Sequence, residues 1–239
     1  MREIVPAILP KSFKELEEKL PLVVGIVSCV QIDLCDGRFV QSVTWPFGVA
    51  HDEHAEAIEN ESEGMPFWNE IEFEFDLMSI KPQEAYDTAL RLGASRVVIH
   101  YGSFADEASL DVFLGKYGKG GTERGSLLDV ELGLAFLPHI PVSTVSKFID
   151  RVDSVQVMGI EKIGFQGEHF TEKAIDLIKA IRSAHADVVI AVDGGVSGEN
   201  AEALFTAGVN RLVVGSAIFG VRNASEVTED FVHLAQSHV

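Results

Sequence analysis

The sequence predicts a closed (β/α)8 barrel, and three observations carry that expectation. Short apolar runs of strand type alternate with helical patterns eight times along the chain. The length, 239 residues, is usual for one such barrel and ample for a large core. The strands are apolar on both sides, as they must be where helices cover one face and other strands the other. One domain over residues 1–239 is therefore expected.

The elements follow in order. Ile4 to Leu9 reads as the first strand and Phe13 to Leu20 as the first helix, capped by Ser12. Val30 to Leu34 is the second strand. Ile71 to Leu77 is the third, with Glu72 and Glu74 pointing away from Phe73 and Phe75 or else unusually placed. Pro82 to Leu92 fits a helix with Pro in its first turn and Gly93 past its end. Val97 to His100 is strand four, and Ala105 to Tyr117 is helical. Leu128 to Phe136 is strand five, Val142 to Val152 a helix, Val155 to Met158 strand six, and Glu168 to Ala184 an amphipathic helix. Val188 to Val192 and Leu212 to Val214 complete the strands. Two segments stand apart from this alternation. Residues 51–68 form a long acidic insertion, and the Gly-rich stretch from Gly115 to Gly125 reads as a surface loop.

Charge narrows the partners. The formal net charge of −18 argues against nucleic acid and anionic membranes, which need clustered Lys and Arg. An anionic substrate must be caught by local donors working against that field. Cys29 and Cys35 have no second pair, which fits neither a disulfide framework nor a zinc spacing and suits a reducing cytoplasm. The N-terminal residues show no leader pattern, and no apolar run is long enough to cross a membrane. A cytoplasmic protein is expected, with pairing of barrels through apolar outer patches left open.

The chemistry concentrates in the last third, IAVDGGVSGENAEALFTAGVNRLVVGSAIFG, from Ile190 to Gly220. Two strands each end in a small-residue turn, Gly194-Gly195 and Gly215-Ser216, that opens toward a helix. Main-chain N–H groups in such turns hold an anion without a basic side chain. In this fold the loops after the last two strands build the phosphate site. Gly164 and Gly167, after strand six, offer a third close approach. Asp193 stands beside the first turn. In QIDLCDGRFV, residues 31–40, alternation puts Gln31, Asp33 and Cys35 on one face. If that face is the barrel interior, Asp33 and Asp193 enter the mouth from different arcs. Two carboxylates flanking a sugar phosphate suit an epimerase, one as base and the other as acid. The alternative for Asp33 is a carboxylate that binds loop amides, and for Asp36 an ordinary Asp-Gly turn.

Asp76 ends strand three and could join Asp33, Asp193 and Gln31 in an oxygen-rich cluster. Such donors favour Mg²⁺ or Mn²⁺ over Zn²⁺ or Fe²⁺, if a metal is held at all. The alternative is that Asp76 points elsewhere or pairs with a basic residue. His51 and His54 of HDEH would share a helix face, with a ligand role the lesser expectation. His100, at the end of strand four, is either a substrate contact or a plain buried histidine.

With IVPAILPKSF, QIDLCDGRFV, FEFDLM, VVIHYGS, VQVMGIEKIGFQG, IAVDGGVSGENA and VVGSAIFG, the chain resembles the ribulose-phosphate 3-epimerases almost end to end. The resemblance implies interconversion of D-ribulose 5-phosphate and D-xylulose 5-phosphate through an enediolate at C3, with two aspartates and usually one divalent metal. Asp33 and Asp193 match those aspartates, and Gly194, Gly195, Gly215 and Ser216 match the phosphate residues. Gln31 and Asp76 stand where the family has metal-ligating histidines. Ala7 replaces a serine, Leu137-Pro138 replaces Asn-Pro, and the loop after strand six has an extra residue, with Lys162-Ile163 where a proline is usual. The expected activity is thus epimerisation of a ketose phosphate, the partner a small phosphorylated sugar, and the cofactor Mg²⁺, Mn²⁺ or none. The alternatives are a sugar-phosphate lyase or decarboxylase, against which stands the lack of a lysine between Asp33 and Asp36, and a non-catalytic phosphosugar-binding protein.

Overall fold

The computed structural model describes residues 2–48, 52–124, 130–164 and 168–237. Eight parallel strands close into one barrel in chain order: β1 (Glu3–Ile8), β2 (Cys29–Cys35), β3 (Glu72–Met78), β4 (Arg96–His100), β5 (Glu131–Phe136), β6 (Ser154–Met158), β7 (Val189–Asp193) and β8 (Arg211–Val214). The last strand returns to the first, Val5 lying beside Val213. The principal connecting helices are α1 (Phe13–Lys19), α2 (Glu53–Glu59), α3 (Pro82–Arg91), α4 (Glu107–Tyr117), α5 (Val142–Val145), α6 (Glu172–Ala184), α7 (Ala201–Ala207), α8 (Ser216–Phe219) and α9 (Ala224–Ser237). Among the described residues no helix is long and apolar enough to cross a membrane.

Alternation along each strand sorts the core. Val30, Ile32 and Leu34 of β2 and Phe73, Phe75 and Leu77 of β3 join the layer under the helices. Their neighbours Gln31, Asp33, Glu74 and Asp76 are buried on the other side, inside the barrel. The interior is therefore polar at both ends. At the lower rim Glu74 is fully buried and receives Arg211 at 2.8 Å and Arg96 at 3.2 Å. Arg211 also meets Glu3 at 2.7 Å, and Arg96 meets Glu131 at 2.6 Å. Removing one partner of a buried pair strands the other charge. Glu74→Ala is expected to cost roughly 3–5 kcal/mol, read as a lower urea midpoint. An unchanged midpoint would contradict a structural role for this network.

Several elements differ from the sequence expectation, each for a local reason. Residues 51–68 are not merely an insertion: they carry α2, the helix of the second β/α unit. Asp52 caps that helix by accepting from the Ala55 N–H at 3.0 Å and also takes the indole N–H of buried Trp45 at 2.8 Å. The helix expected over Val142 to Val152 breaks into α5 and a 3-10 turn, Ile149–Arg151. Its opening, Val-Ser-Thr-Val-Ser, is all β-branched or hydroxyl-bearing and holds a helix poorly. The helix expected from Glu168 begins at Glu172, and the strand expected from Leu128 begins at Glu131, with 128 and 129 outside the described residues. Ser12 occupies the cap position of α1 without a side-chain bond. At α4, Asp106 and Ser109 make a reciprocal capping box.

The Gly-rich segment after α4 folds back on that helix through Thr122 N–H to Gly115 O and Glu123 N–H to Lys116 O. Because α4 leads down to the start of β5, this segment lies at the lower rim, away from the strand ends that carry the carboxylates. Both cysteines are buried and free.

Candidate active site

The carboxyl ends of β2, β3 and β7 bring three aspartates together. One oxygen from each of Asp33, Asp76 and Asp193 lies within 4.8 Å of the others. Asp33 and Asp76 are register partners on adjacent strands, and Asp193 reaches in from β7. Gln31 bridges the outer two: its Nε2 donates to Asp33 Oδ1 at 2.9 Å and to Asp193 Oδ2 at 3.1 Å. This face of β2 is the barrel interior.

Above these groups lies a pocket lined by Asp33, Asp193, Gly164, Gly194, Gly195, Gly215 and Ser216, with Ala7, Met78, Met158 and Ile160 among its apolar walls. None of the described lining residues is Lys or Arg. Gly194 and Gly195 have φ of +95° and +68°. Side chains there would also collide, a Cβ at Gly194 lying 2.7 Å from Ile160 and one at Gly195 lying 2.7 Å from the Phe170 backbone nitrogen. Only glycine permits this turn. The helix after the second turn, α8, is a single turn long, so any anion-holding donors here are those of the turns themselves. Gly164 O accepts from the Ser42 hydroxyl, which ties the loop after β6 to the loop after β2. Gly167 lies outside the described residues, as does His51.

His100 is buried beside the cluster. Its Nε2 meets Asp76 Oδ1 at 2.8 Å, and its ring tilts against Phe39. Gln156 of β6 approaches Asp76 from the opposite arc, Nε2 to Oδ2 at 3.4 Å. Sequence reasoning missed Gln156. The available signal was an amide at an interior position of an otherwise apolar strand. His54 stacks on Phe13 with ring centroids 4.0 Å apart and pairs with Glu63, a packing role. Asp36 is a clasp: it accepts from the Arg38 and Phe39 N–H groups on one side and from Ser79 and the Ile80 N–H on the other. Partial burial raises its proton affinity, but these donors outweigh it and hold its pKa below the ordinary value.

Burial, then the charges of Asp193 and Asp76, push the Asp33 carboxyl well above the usual carboxylate range, with the Gln31 hydrogen bond opposing. Burial and then Asp76 push Asp193 up to about 7, against Gln31 and His100. Such a cluster is relieved by a bound proton or a cation. The donor chemistry fits a cation: three carboxylates converge, and Gln31 keeps an Oε1 without a hydrogen-bond partner among the described residues. The three carboxylates are oxygen donors, which suits a hard divalent ion, and Gln31 would add a fourth oxygen with its amide turned.

A parallel barrel with paired acidic groups at its upper mouth, beside a glycine-turn pocket with no Lys or Arg among its described lining residues, places the chain in the (β/α)8-barrel class. The sequence profile of the ribulose-phosphate 3 epimerase family matches residues 3–219. The ribulose-phosphate 3-epimerase of Schizosaccharomyces pombe is 28% identical over 227 residues, covering 94% of this chain and 90% of its own. That of Bacillus subtilis is 27% identical over 226 residues, covering 92% and 93%. Among solved structures, 3-hexulose-6-phosphate synthase from Salmonella typhimurium superposes with a TM-score of 0.65 at 16% identity, covering 99% of this chain and 100% of its own, a likeness of fold. The chain belongs to the ribulose-phosphate 3-epimerase family and is an isomerase of the epimerase type.

Proposed function

We propose that the chain interconverts the C3 epimers of a ketose phosphate, of the ribulose 5-phosphate and xylulose 5-phosphate type, using Asp33 and Asp193 as the proton-transfer pair. The observation that supports this is the pair itself: two carboxylates from opposite arcs, joined through the Gln31 amide, at one pocket with four small turn residues. One aspartate, ionised, takes the C3 proton. The other, protonated, returns one to the opposite face of the same carbon, with an enediolate between. Two buried carboxylates with raised proton affinity suit this division, because the pair retains a proton where a lone carboxyl would lose it. The phosphate lies against Gly194, Gly195, Gly215 and Ser216, with Gly164 beside it. His100 orients Asp76.

Asp33, Asp76, Asp193 and Gln31 would hold a divalent ion, Mg²⁺ or Mn²⁺ by donor type. Bound there, it supplies positive charge against the negative charge that develops on the substrate oxygens. The protein's own part is to seat the phosphate, hold the reacting carbon between the two carboxylates and keep their proton.

Incubation with ribulose 5-phosphate in deuterated water tests the reading. Deuterium at C3 and formation of xylulose 5-phosphate are expected. Absence of both, with and without Mn²⁺, overturns it. A second measurement isolates the phosphate turn. Gly195→Ala forces a side chain against Phe170, so KM is expected to rise about tenfold, roughly 1.4 kcal/mol, with kcat less affected.

A further inference from the structure

Two glutamines lie under the pocket, and both are wholly buried: Gln31 on β2 and Gln156 on β6. Each turns its Nε2 to the acidic cluster. Gln31 donates to Asp33 and Asp193, and Gln156 to Asp76. Together the two amides touch all three carboxylates. Each also leaves its Oε1 with no hydrogen-bond partner among the described residues. A third buried oxygen without a partner, Glu74 Oε1, belongs to the register partner of Gln31 on β3.

An unpaired buried carbonyl is unfavourable, and packing gives no reason for one here. Val155 and Val157, on either side of Gln156, face the helix layer, and a leucine-sized group would fill the interior position between them. The amide is the side-chain group that offers donor and acceptor in nearly the same place. With its N–H groups inward it stabilises anions, and with its oxygen inward it stabilises a cation. The terminal torsion that exchanges the two is soft and roughly two-fold.

We infer that Gln156 is a further member of the site, and that it and Gln31 are a reversible amide pair. In the metal-free chain both donate N–H groups to the three carboxylates. When a hard divalent cation is held by Asp33, Asp76 and Asp193, both turn their Oε1 toward it. The inference rests on the cation reading above and adds a residue and a rearrangement to it. Gln156 acts as a positioning residue in the first state and as a ligand oxygen in the second.

Mn²⁺ binding to the intact chain, followed by the electron paramagnetic resonance signal of free Mn²⁺, tests the inference. The wild type is expected to bind one ion. Gln156→Leu is expected to weaken binding at least tenfold, and Gln156→Glu to hold or tighten it. Thermal melts of the metal-free variants report folding separately. On the wild type, the side-chain NH₂ resonances of Gln31 and Gln156 should shift on adding Mg²⁺ and return with chelator. An unchanged Mn²⁺ dissociation constant in Gln156→Leu, or glutamine resonances indifferent to Mg²⁺, overturns the inference. So does a wild type that binds no Mn²⁺. If that protein still places deuterium at C3 of ribulose 5-phosphate, the proposed reaction stands and the amide pair alone falls.

Discussion

Asp193→Asn is expected to lower epimerisation by about 10²–10⁴-fold while leaving half of the chemistry running. In the proposed reaction the remaining carboxylate, Asp33, still faces one side of the substrate carbon. It can remove the proton from the epimer whose C–H points at it and return a solvent proton to the same face. The variant should therefore exchange deuterium into one epimer without producing the other. Asp33→Asn should do the same for the opposite epimer. The paired experiment assigns each aspartate to a face. Both variants should also melt higher than the wild type without metal, since each removes one of three carboxylates lying within 4.8 Å. Turnover within tenfold of wild type in both would exclude the Asp33 and Asp193 pair as the proton carriers.

Divalent metal is expected to stabilise the chain strongly, and more so at higher pH. Asp193 is raised in the folded protein to about 7, and Asp33 moves the same way. A carboxyl with a raised folded value favours the folded state while protonated. That contribution is fully present below the ordinary value near ~4 and is lost as pH rises through the folded value. The metal-free chain should thus lose stability from pH ~4 to ~7, as the Asp193 carboxyl gives up its proton and negative charge builds up in the cluster. A cation reverses the loss. At a hundredfold excess over its dissociation constant it adds about 2.7 kcal/mol. For a chain of this size that corresponds to a melting shift of roughly 5–10 °C. Melts with Mn²⁺ or Mg²⁺ against chelator, at pH 5 and pH 8, check this. The shift should be larger at pH 8. Equal shifts at both values would contradict a cation seated on these carboxylates. Elemental analysis of protein purified without chelator should find little zinc or iron, because no imidazole nitrogen is offered in the donor set. Stoichiometric zinc would refute that account.

The fold was legible because barrel strands are apolar on both sides and their helices recur at regular spacing. Asp33, Asp76 and Asp193 were legible for a related reason: each is an acid at the carboxyl end of an apolar strand, a place that packing alone does not demand. Gln31 was visible through the alternation of β2. Gln156 was not, because two valines and a methionine around it read as plain core. That His100 meets Asp76 depended on how the side chains of β3 and β4 pack across the strands, which only coordinates give. The failed helix at residues 142–152 shows the other limit. Its apolar spacing was helical, yet the hydroxyl and β-branched residues favoured shorter turns. Asp36 read as a turn residue, and it is one. That it joins two neighbouring loops depended on Ser79 and Ile80, more than forty positions away.

A pocket with glycine turns and no Lys or Arg among its described lining residues has a kinetic consequence. The chain carries a net charge of −18, so the proposed sugar phosphate would approach through an opposing potential and be caught only at contact range. Added salt screens the opposition but leaves short main-chain hydrogen bonds nearly untouched. The second-order rate constant kcat/KM should therefore climb as ionic strength increases, the reverse of enzymes that draw anions in with arginine and lysine. Encounter is thus expected to be slowed by the protein's own exterior, with electrolyte as an accelerator.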